Sequence, residues 1–372
     1  MIFCSSCFCN LEIKSIIAER GTFGICPVCG AKDVTVLNTE ELDRDSMLFG
    51  MFDNLVSIYT AFADLPNDYP TEECQTLVES IKSDWDIFAD IPDNAILDIL
   101  KSLSPTVLND YPIVFETLVG IPEKYDSEYL QGNSILRVAN WDIFVETLKH
   151  KNRFHTNLID KELLRKYCLD ISKEIPMSRQ RFYRGRIAEN QNGFLPSEMG
   201  APPPQKASDG RANSAGISRL YLTYDRETTF HEIRASEYDY VTVGTFKQLK
   251  TITVVDLQQI HKISPFKVDD CMALAINREH LLKINQEMSR TMRRGDSPLD
   301  YLPTQYICDF IMSITDEDGQ PVFDGIEYQS AMHSKGSNLV VFDPDCFKCT
   351  YSRTYEVKKL SYSKELVARH RS

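Results

Sequence analysis

The 372-residue sequence has no uncharged apolar run near the roughly 18 residues that a membrane span requires. Its first residues, MIFCSSCFC, lack the basic segment and long apolar core of a signal peptide. A G-x-G-x-x-G motif is also missing, which argues against a Rossmann domain that carries hydride on a dinucleotide. We therefore expect a cytoplasmic protein with no membrane partner.

Positive charge is scarce in one part of the chain. The net charge is −13, and residues 41–135 hold 19 Asp and Glu against 4 Lys and Arg. The rest of the sequence is nearly neutral. Because a protein that binds nucleic acid needs a positive field around the phosphates, this distribution argues against general nucleic-acid binding.

Eleven cysteines without an export signal indicate a reducing compartment, where cysteines bind metal or pack as small apolar groups. Cys4, Cys7, Cys26 and Cys29 form two C-x-x-C pairs, and the glycine after Cys29 suits the turn of a metal knuckle. A redox pair fits four cysteines in this arrangement less well. We predict that residues 1–38 form a small zinc-ribbon-like segment with a structural Zn²⁺, because a closed four-Cys site leaves no open position for catalysis.

Residues 39–135 read as an acidic, all-helical domain. Phe49, Phe52, Leu55, Val56, Tyr59 and Phe62 recur at three- and four-residue steps, and a second helix after Pro92 would turn Ile96, Leu97 and Leu100 inward. Helical ribonuclease domains need an arginine and a histidine a few residues apart, but no histidine occurs before His150. We therefore expect a regulatory or docking domain here.

Residues 136–372 mix helix and strand signals, so the predicted fold class is α+β. Residues 240–247 and 251–257 read as strands, and LPTQYICDFIMSIT reads as a helix. In GISRLYLTYDRETTFHEI, strand alternation puts Leu220 and Leu222 in the core and turns Tyr221 toward a cleft. Asp225 is placed to cap the next helix, which would bring Glu232 near Tyr221.

Four motifs in this region share one order: RFYRGR, GRANSAGISRLYLTYDRETTFHEIRAS, LPTQYICDFI and GIEYQSAMHSKGSNLVVF. Together they resemble the RES-domain family over roughly residues 140–360. The acidic segment resembles the HEPN-type N-terminal domain of some longer members. The resemblance implies an ADP-ribosyltransferase-like split β-sheet and bacterial toxins that act on NAD.

The resemblance also implies site residues. The family arginine, tyrosine, glutamate and serine correspond to Arg184, Tyr221, Glu232 and Ser330, and the GR-x-N loop corresponds to Gly210, Arg211 and Asn213. These residue types suit NAD. Guanidinium groups bind pyrophosphate, a carboxylate stabilises an oxocarbenium-like ribose, and a tyrosine stacks on nicotinamide.

Two nearby histidines carry weaker expectations. His231 reads as a packing or surface residue, and His333 as a candidate for the acceptor side. Ser330 is expected either to bind ribose or to orient Glu232.

Three readings of function stay open at this point. The first is an NAD glycohydrolase or phosphorylase acting as a growth-arrest or defence toxin, with NAD as substrate and a cognate antitoxin as partner. In the second reading, the protein transfers ADP-ribose to a protein or nucleic-acid acceptor. The third is a zinc-containing interaction module without catalysis.

Overall fold

The computed structural model describes residues 1–138, 140–268, 270–290, 297–333 and 335–360. The predicted domain 136–372 and the RES-like motif at 325–342 include positions outside these ranges. The described helices are α1 (Leu11–Arg20), α2 (Met47–Val56), α3 (Leu77–Asp84), α4 (Asp93–Leu103), α5 (Pro105–Asp110), α6 (Ser127–Asn133), α7 (Trp141–His150), α8 (Lys161–Asp170), α9 (Arg226–Glu232), α10 (Cys271–Ser289) and α11 (Leu302–Ser313). The described strands are β1 (Ile2–Cys4), β2 (Thr22–Gly24), β3 (Val34–Asn38), β4 (Thr60–Ala61), β5 (Gln75–Thr76), β6 (Leu118–Gly120), β7 (Ser172–Ile175), β8 (Phe182–Ala188), β9 (Leu220–Thr223), β10 (Tyr240–Gln248), β11 (Ile252–Asp256), β12 (Gly325–Gln329), β13 (Ser337–Val341) and β14 (Phe347–Glu356).

The chain divides into two compact units. The first consists of Met1–Phe144, Thr156–Asp160 and Gln259–Leu281, and the second of Val145–His155, Lys161–Gln258 and Leu282–Ser372. The domain boundaries expected after residues 38 and 135 stay a prediction. None of the helices in the described part of the chain combines the length and apolar character that crossing a bilayer requires.

The first unit opens with a three-stranded antiparallel sheet in the order β1-β3-β2. Helix α1 begins where the Asn10 side chain accepts a hydrogen bond from the Ile13 amide at 3.1 Å, an N-cap that satisfies one free donor of the first turn. Ile13 and Ile17 on this helix are completely buried. This small sheet with one helix is compatible with the predicted zinc-ribbon-like segment.

The acidic middle segment is not all-helical, so that part of the prediction is wrong. Helix α2 ends at Val56, and a second small sheet follows in the order β4-β6-β5. Tyr59 lies beyond the helix and donates its hydroxyl to Asp84 at 2.8 Å, while Phe62 is 48% exposed. Strands of two or three residues are too short to show the alternation that identifies a strand in a sequence.

Helix α4 begins immediately after Pro92, as predicted, and buries Ile96 and Leu100. Leu97 is only half-buried, so its predicted inward position is wrong. The buried stripe runs instead through Ile96, Ile99, Leu100 and Leu103. These steps of three, one and three residues keep to one helix face, whereas Leu97 lies about 100° from Ile96 around the helix.

The second unit is built on an eight-stranded sheet in the order β14-β10-β8-β9-β13-β12-β11-β7. The strands predicted at 240–247 and 251–257 and the helix predicted at 302 are confirmed as β10, β11 and α11. Pairing is antiparallel except between β11 and β12. Strands β8 and β9 pair at one position, with Tyr183 opposite Thr223. The sheet is therefore connected at this point through a single residue pair.

One face of this sheet forms an apolar core. Strand β9 alternates as predicted, because Leu220 and Leu222 are 1% exposed and belong to this core. The other members come from several strands and loops: Ile175, Phe182, Met199, Phe246, Ile252, Val254, Leu339, Val341, Cys346 and Phe347. Alternation therefore turns the intervening side chain, Tyr221, to the opposite face.

A buried ionic cluster joins β7, β11 and β12. The Lys173 ammonium lies 2.7 Å from Asp256 and 3.1 Å from Glu327, and both carboxylates are nearly inaccessible. The Tyr224 hydroxyl also donates to Glu327. Burial raises the pKa of Glu327, and the neighbouring Asp256 acts in the same direction. The lysine therefore makes two adjacent buried carboxylates tolerable.

We predict that Lys173→Met destabilises the protein by about 3 kcal/mol, because it leaves those carboxylates without their counter-charge. Burial raises the folded-state pKa of Glu327 and Lys173 lowers it, so without Lys173 the folded variant binds protons more readily than the folded wild type. The loss in unfolding free energy should therefore shrink as pH falls. Chemical denaturation across pH measures this. Lys250→Met is the control, because Lys250 pairs with Asp324 at an exposed position and should cost less than about 1 kcal/mol. Equal costs for the two variants would contradict the prediction.

Candidate functional site

Helix α9 carries Glu232 at its last position. As predicted, Asp225 caps this helix: its side chain accepts the Thr228 amide at 2.8 Å. Thr228 and Thr229 are buried on the side that packs against the sheet. The helix crosses β8 at Gly185, where an added Cβ would lie 2.6 Å from the Thr229 methyl. Glycine at this position therefore allows the helix to approach the strand closely.

A pocket of about 240 Å³ lies between this helix and the sheet. Three residues predicted from sequence line it together, namely Arg184, Tyr221 and Glu232. The other lining residues are Tyr183, Gly185, Leu222, Thr223, Thr229, Ile233, Tyr328 and Asn338. The pocket thus combines aromatic walls with one cation and one carboxylate.

The Arg184 guanidinium is largely buried, and in the described part of the chain its Nη1 atom has no hydrogen-bond partner. Burial lowers the pKa of Arg184 to about 10, and the nearby charge of Arg186 adds to this effect. The group still carries its charge at neutral pH. A buried, charged donor without a partner is costly, so its presence in a pocket indicates a place for an anion.

The Glu232 carboxylate is held by two neutral donors. Ser330 Oγ donates to Glu232 Oε1 at 2.5 Å, and Asn338 Nδ2 donates to the same oxygen at 2.9 Å. The Ser330 hydroxyl also accepts the amides of Met332 and His333. Of the two expectations for Ser330, the orientation of Glu232 is therefore the one that its contacts support.

Tyr221 is fixed through its hydroxyl. The hydroxyl donates to Asn213 Oδ1 at 2.6 Å and accepts the Ala212 amide at 3.2 Å. Gly210 lies so close that an added Cβ would be 2.8 Å from the same oxygen. The loop that carries Gly210 and Asn213 is held in turn by Gln305 of α11, which donates to both of their carbonyls. These contacts place Gly210 and Asn213 behind the phenol, and direct contact with a ligand stays a prediction.

Arg211 has a different contact. Its Nη1 donates to the Glu287 carbonyl at 2.7 Å. The proposed role of Arg211 in binding a ligand stays a prediction.

The two histidines near the site stack on each other, with ring centroids 5.2 Å apart and planes inclined by 13°. His231 also lies 3.6 Å from Glu227. His333 Nδ1 lies 2.7 Å from the Thr228 hydroxyl, which is also 2.6 Å from Asp225. Since a hydroxyl has one proton, donation to Asp225 makes His333 Nδ1 the donor to Thr228.

Sequence reasoning missed three residues that define the site: Asn338, Tyr328 and Gln305. Tyr328 and Asn338 sit opposite each other on β12 and β13, on the pocket face of the sheet. The alternation in SNLVVF predicts that Asn338 and Val340 share a face, but not which face looks into a pocket. Only the strand order brings Asn338 within reach of a glutamate 106 residues earlier in the chain.

The four predicted cysteine ligands lie together in the first unit. Their sulfur atoms are all within 4.8 Å of one another. Neighbouring sulfurs are 3.9 Å (Cys4–Cys7), 3.5 Å (Cys4–Cys29) and 3.6 Å (Cys7–Cys26) apart. Tetrahedral zinc with Zn–S bonds of 2.3 Å requires sulfurs about 3.8 Å apart. The donor set therefore fits a zinc ion.

We predict that Tyr221→Phe lowers stability by about 1–2 kcal/mol, because it leaves the buried Asn213 oxygen and the Ala212 amide without their partner. Thermal and chemical denaturation measure this loss. Tyr183→Phe is a matched control in the same pocket, since no hydrogen bond to its hydroxyl occurs among the described residues, and it should change stability by less than about 0.5 kcal/mol. A Tyr221→Phe protein as stable as the wild type would contradict the described anchoring.

Comparison with protein families matches residues 184–362 to the RES domain. A comparison with curated proteins gives no match, and a comparison with solved structures gives none. The match begins at Arg184 and includes the segments that carry Tyr221, Glu232, Ser330 and Asn338. It covers neither the cysteine segment nor the acidic segment, whose HEPN-type resemblance stays a prediction. Residues 184–362 of this chain are thus similar to the RES domain.

Proposed function

We propose that this protein cleaves the bond between nicotinamide and ribose in NAD and passes ADP-ribose to water or phosphate. The observation that carries the proposal is a pocket within the RES match that is lined by Arg184 and by an anchored carboxylate, Glu232. Among the described residues, the Nη1 atom of Arg184 has no hydrogen-bond partner. NAD bears both charges that these groups complement, an anionic pyrophosphate and a cationic nicotinamide ring. The RES match supports an NAD-acting enzyme in general.

Arg184 is proposed to bind the pyrophosphate. A guanidinium presents paired donors that match phosphate oxygens, and removal from water strengthens the attraction. A bound phosphate oxygen would also satisfy the Nη1 atom that lacks a partner among the described residues.

Glu232 is proposed to stabilise the transition state. When the C1–N bond breaks, its electron pair goes to the ring nitrogen, so nicotinamide leaves neutral and no general acid is needed. Positive charge then develops on the ribose, and a fixed carboxylate opposes it. Water or phosphate adds to C1, and water loses its proton to the solvent. The products are ADP-ribose or its 1-phosphate.

Tyr221 is proposed to form an aromatic wall for the nicotinamide. Its hydroxyl is occupied by Asn213 and Ala212, which leaves the ring faces as the surface available to a ligand. Stacking of an electron-rich phenol on a cationic pyridinium is favourable and weakens when nicotinamide becomes neutral.

We also propose that the second unit has the split sheet of ADP-ribosyltransferase-like folds. The single residue pair between β8 and β9 supports this, because it divides the sheet into a three-strand part and a five-strand part. Tyr183 at that junction lines the pocket. In this proposal the substrate binds where the two parts separate.

We predict that purified protein releases nicotinamide from NAD, and that Glu232→Gln slows release by about 10²- to 10³-fold, since it removes the charge that opposes the developing cation. Proton NMR follows both products. Glu227→Gln is a matched control, because Glu227 lies on the same helix but is 73% exposed and should keep wild-type rates. No release by the wild type, or equal losses in both variants, would contradict the proposal.

The same assay identifies the acceptor. ADP-ribose in phosphate-free buffer indicates hydrolysis, and a phosphorylated product in phosphate buffer indicates phosphorolysis. Label from NAD on a protein or nucleic acid in place of free ADP-ribose would indicate transferase activity.

A toxin role is part of the proposal, with a cognate antitoxin as partner. Depletion of NAD by an active enzyme arrests growth, so expression of the wild type should halt cells that tolerate Glu232→Gln. Equal growth with both proteins would contradict this role.

We further propose that Cys4, Cys7, Cys26 and Cys29 hold one structural zinc ion. Zinc would link the turn after β1 to the turn between β2 and β3, and so stabilise a segment with a small core. Such a site fixes the fold of this segment and takes no part in the proposed reaction.

We predict one equivalent of zinc per chain by elemental analysis, and its loss in Cys26→Ser, together with a lower unfolding temperature. Cys9→Ser is the control, because Cys9 lies outside the four-sulfur cluster and is exposed. Zinc retained by Cys26→Ser, or absent from the wild-type protein as purified, would contradict the prediction.

A further inference from the structure

The two donors that hold Glu232 converge on one of its oxygens. Ser330 Oγ and Asn338 Nδ2 both donate to Oε1, at 2.5 Å and 2.9 Å. Among the described residues no donor is found at Oε2. A carboxylate bound at one oxygen leaves its second oxygen available to a ligand in the pocket that Glu232 lines. The residues that bind Oε1 therefore determine that Oε2 is the oxygen available to a substrate.

Asn338 is the donor that lies within the sheet. It lies on β13, an internal strand of the sheet, where it is opposite Thr223 of β9 and Tyr328 of β12. It is 5% exposed and lines the pocket. Ser330 belongs to the connection after β12. The sheet fixes the Asn338 backbone on both sides, and the charge of Glu232 selects the NH₂ end of the amide.

We propose that Asn338 is the positioning residue of the reaction, which holds Glu232 Oε1 so that Oε2 faces the ribose whose C1–N bond breaks. This inference rests on the proposed NAD cleavage. Asn338 acts through Glu232, so its contribution appears where charge develops on the ribose. Binding of the distant pyrophosphate at Arg184 does not depend on it.

Kinetics test this role first. Asn338→Ala should lower kcat by about 10- to 100-fold and change KM for NAD by less than about 3-fold, because a loosened carboxylate loses transition-state stabilisation. In a Glu232→Gln background the same substitution should have almost no further effect on kcat. An unchanged kcat, or losses that multiply in the double variant, would overturn the proposal.

A second measurement tests the contact without turnover. Asn338→Asp places a carboxylate at hydrogen-bond distance from Glu232, and two such charges repel unless one binds a proton. The folded variant then binds more protons than the unfolded chain, so its thermal stability relative to wild type should rise as pH falls from about 8 to about 5.5. Asn338→Leu, of similar size and uncharged, should show no such trend.

The other titratable groups of the pocket do not produce this trend. Arg184 stays charged across that range because its pKa is about 10, and burial raises the pKa values of Tyr221 and Tyr328, so both stay neutral. His333, whose amide binds Ser330, is common to all variants, so comparison with Asn338→Leu removes its contribution. Adding Glu232→Gln to Asn338→Asp should abolish the trend.

The outcomes separate the two proposals. A pH trend that persists in the Glu232→Gln, Asn338→Asp double variant, or no trend in Asn338→Asp, overturns the positioning role. An active wild type with an unaffected Asn338→Ala variant overturns this role and leaves NAD cleavage standing. A wild type that releases no nicotinamide overturns both.

Discussion

The close packing of α9 on β8 is the constraint on which the pocket depends. At Gly185 a Cβ would lie 2.6 Å from Thr229 and 3.1 Å from Ile233, so only glycine lets the helix lie this near the strand. Arg184 precedes that glycine on the strand, and Glu232 ends the helix. One contact therefore sets the spacing between the cation and the carboxylate of the site. The sequence RGR thus supplies the arginine for which we propose a pyrophosphate contact and, next to it, the glycine that leaves space for the helix.

The two charges of the pocket do not form an ion pair with each other among the described residues. Arg184 has an unpaired buried atom among the described residues, whereas Glu232 is bound by uncharged donors. Keeping two opposite charges apart in a desolvated space costs stability that a direct ion pair would recover. A molecule with both signs of charge would offset this cost, and the NAD that we propose as substrate has that property.

Local features of the site could be predicted from the sequence, because they depend on neighbouring residues. The alternation of Leu220 and Leu222 in β9 and the Asp225 cap of α9 follow from strand period and capping chemistry. The contact between Asn338 and Glu232 could not be predicted from the sequence, because it depends on the order of the strands in the sheet. In the first unit the same limit applies, because the two-residue strands β4 and β5 exist only through pairing with β6.

Binding of intact NAD to the Glu232→Gln variant tests the central claim most directly, because this variant keeps Arg184 and should cleave the ligand slowly. Saturation-transfer NMR and calorimetry should show one NAD per chain, with affinity weakened at least about tenfold when Arg184→Met is added, since that change removes the proposed pyrophosphate contact. The control Arg353→Met replaces an exposed arginine of the same unit and should bind as Glu232→Gln alone. Equal affinity with and without Arg184, or no binding to Glu232→Gln, would contradict an NAD site in this pocket.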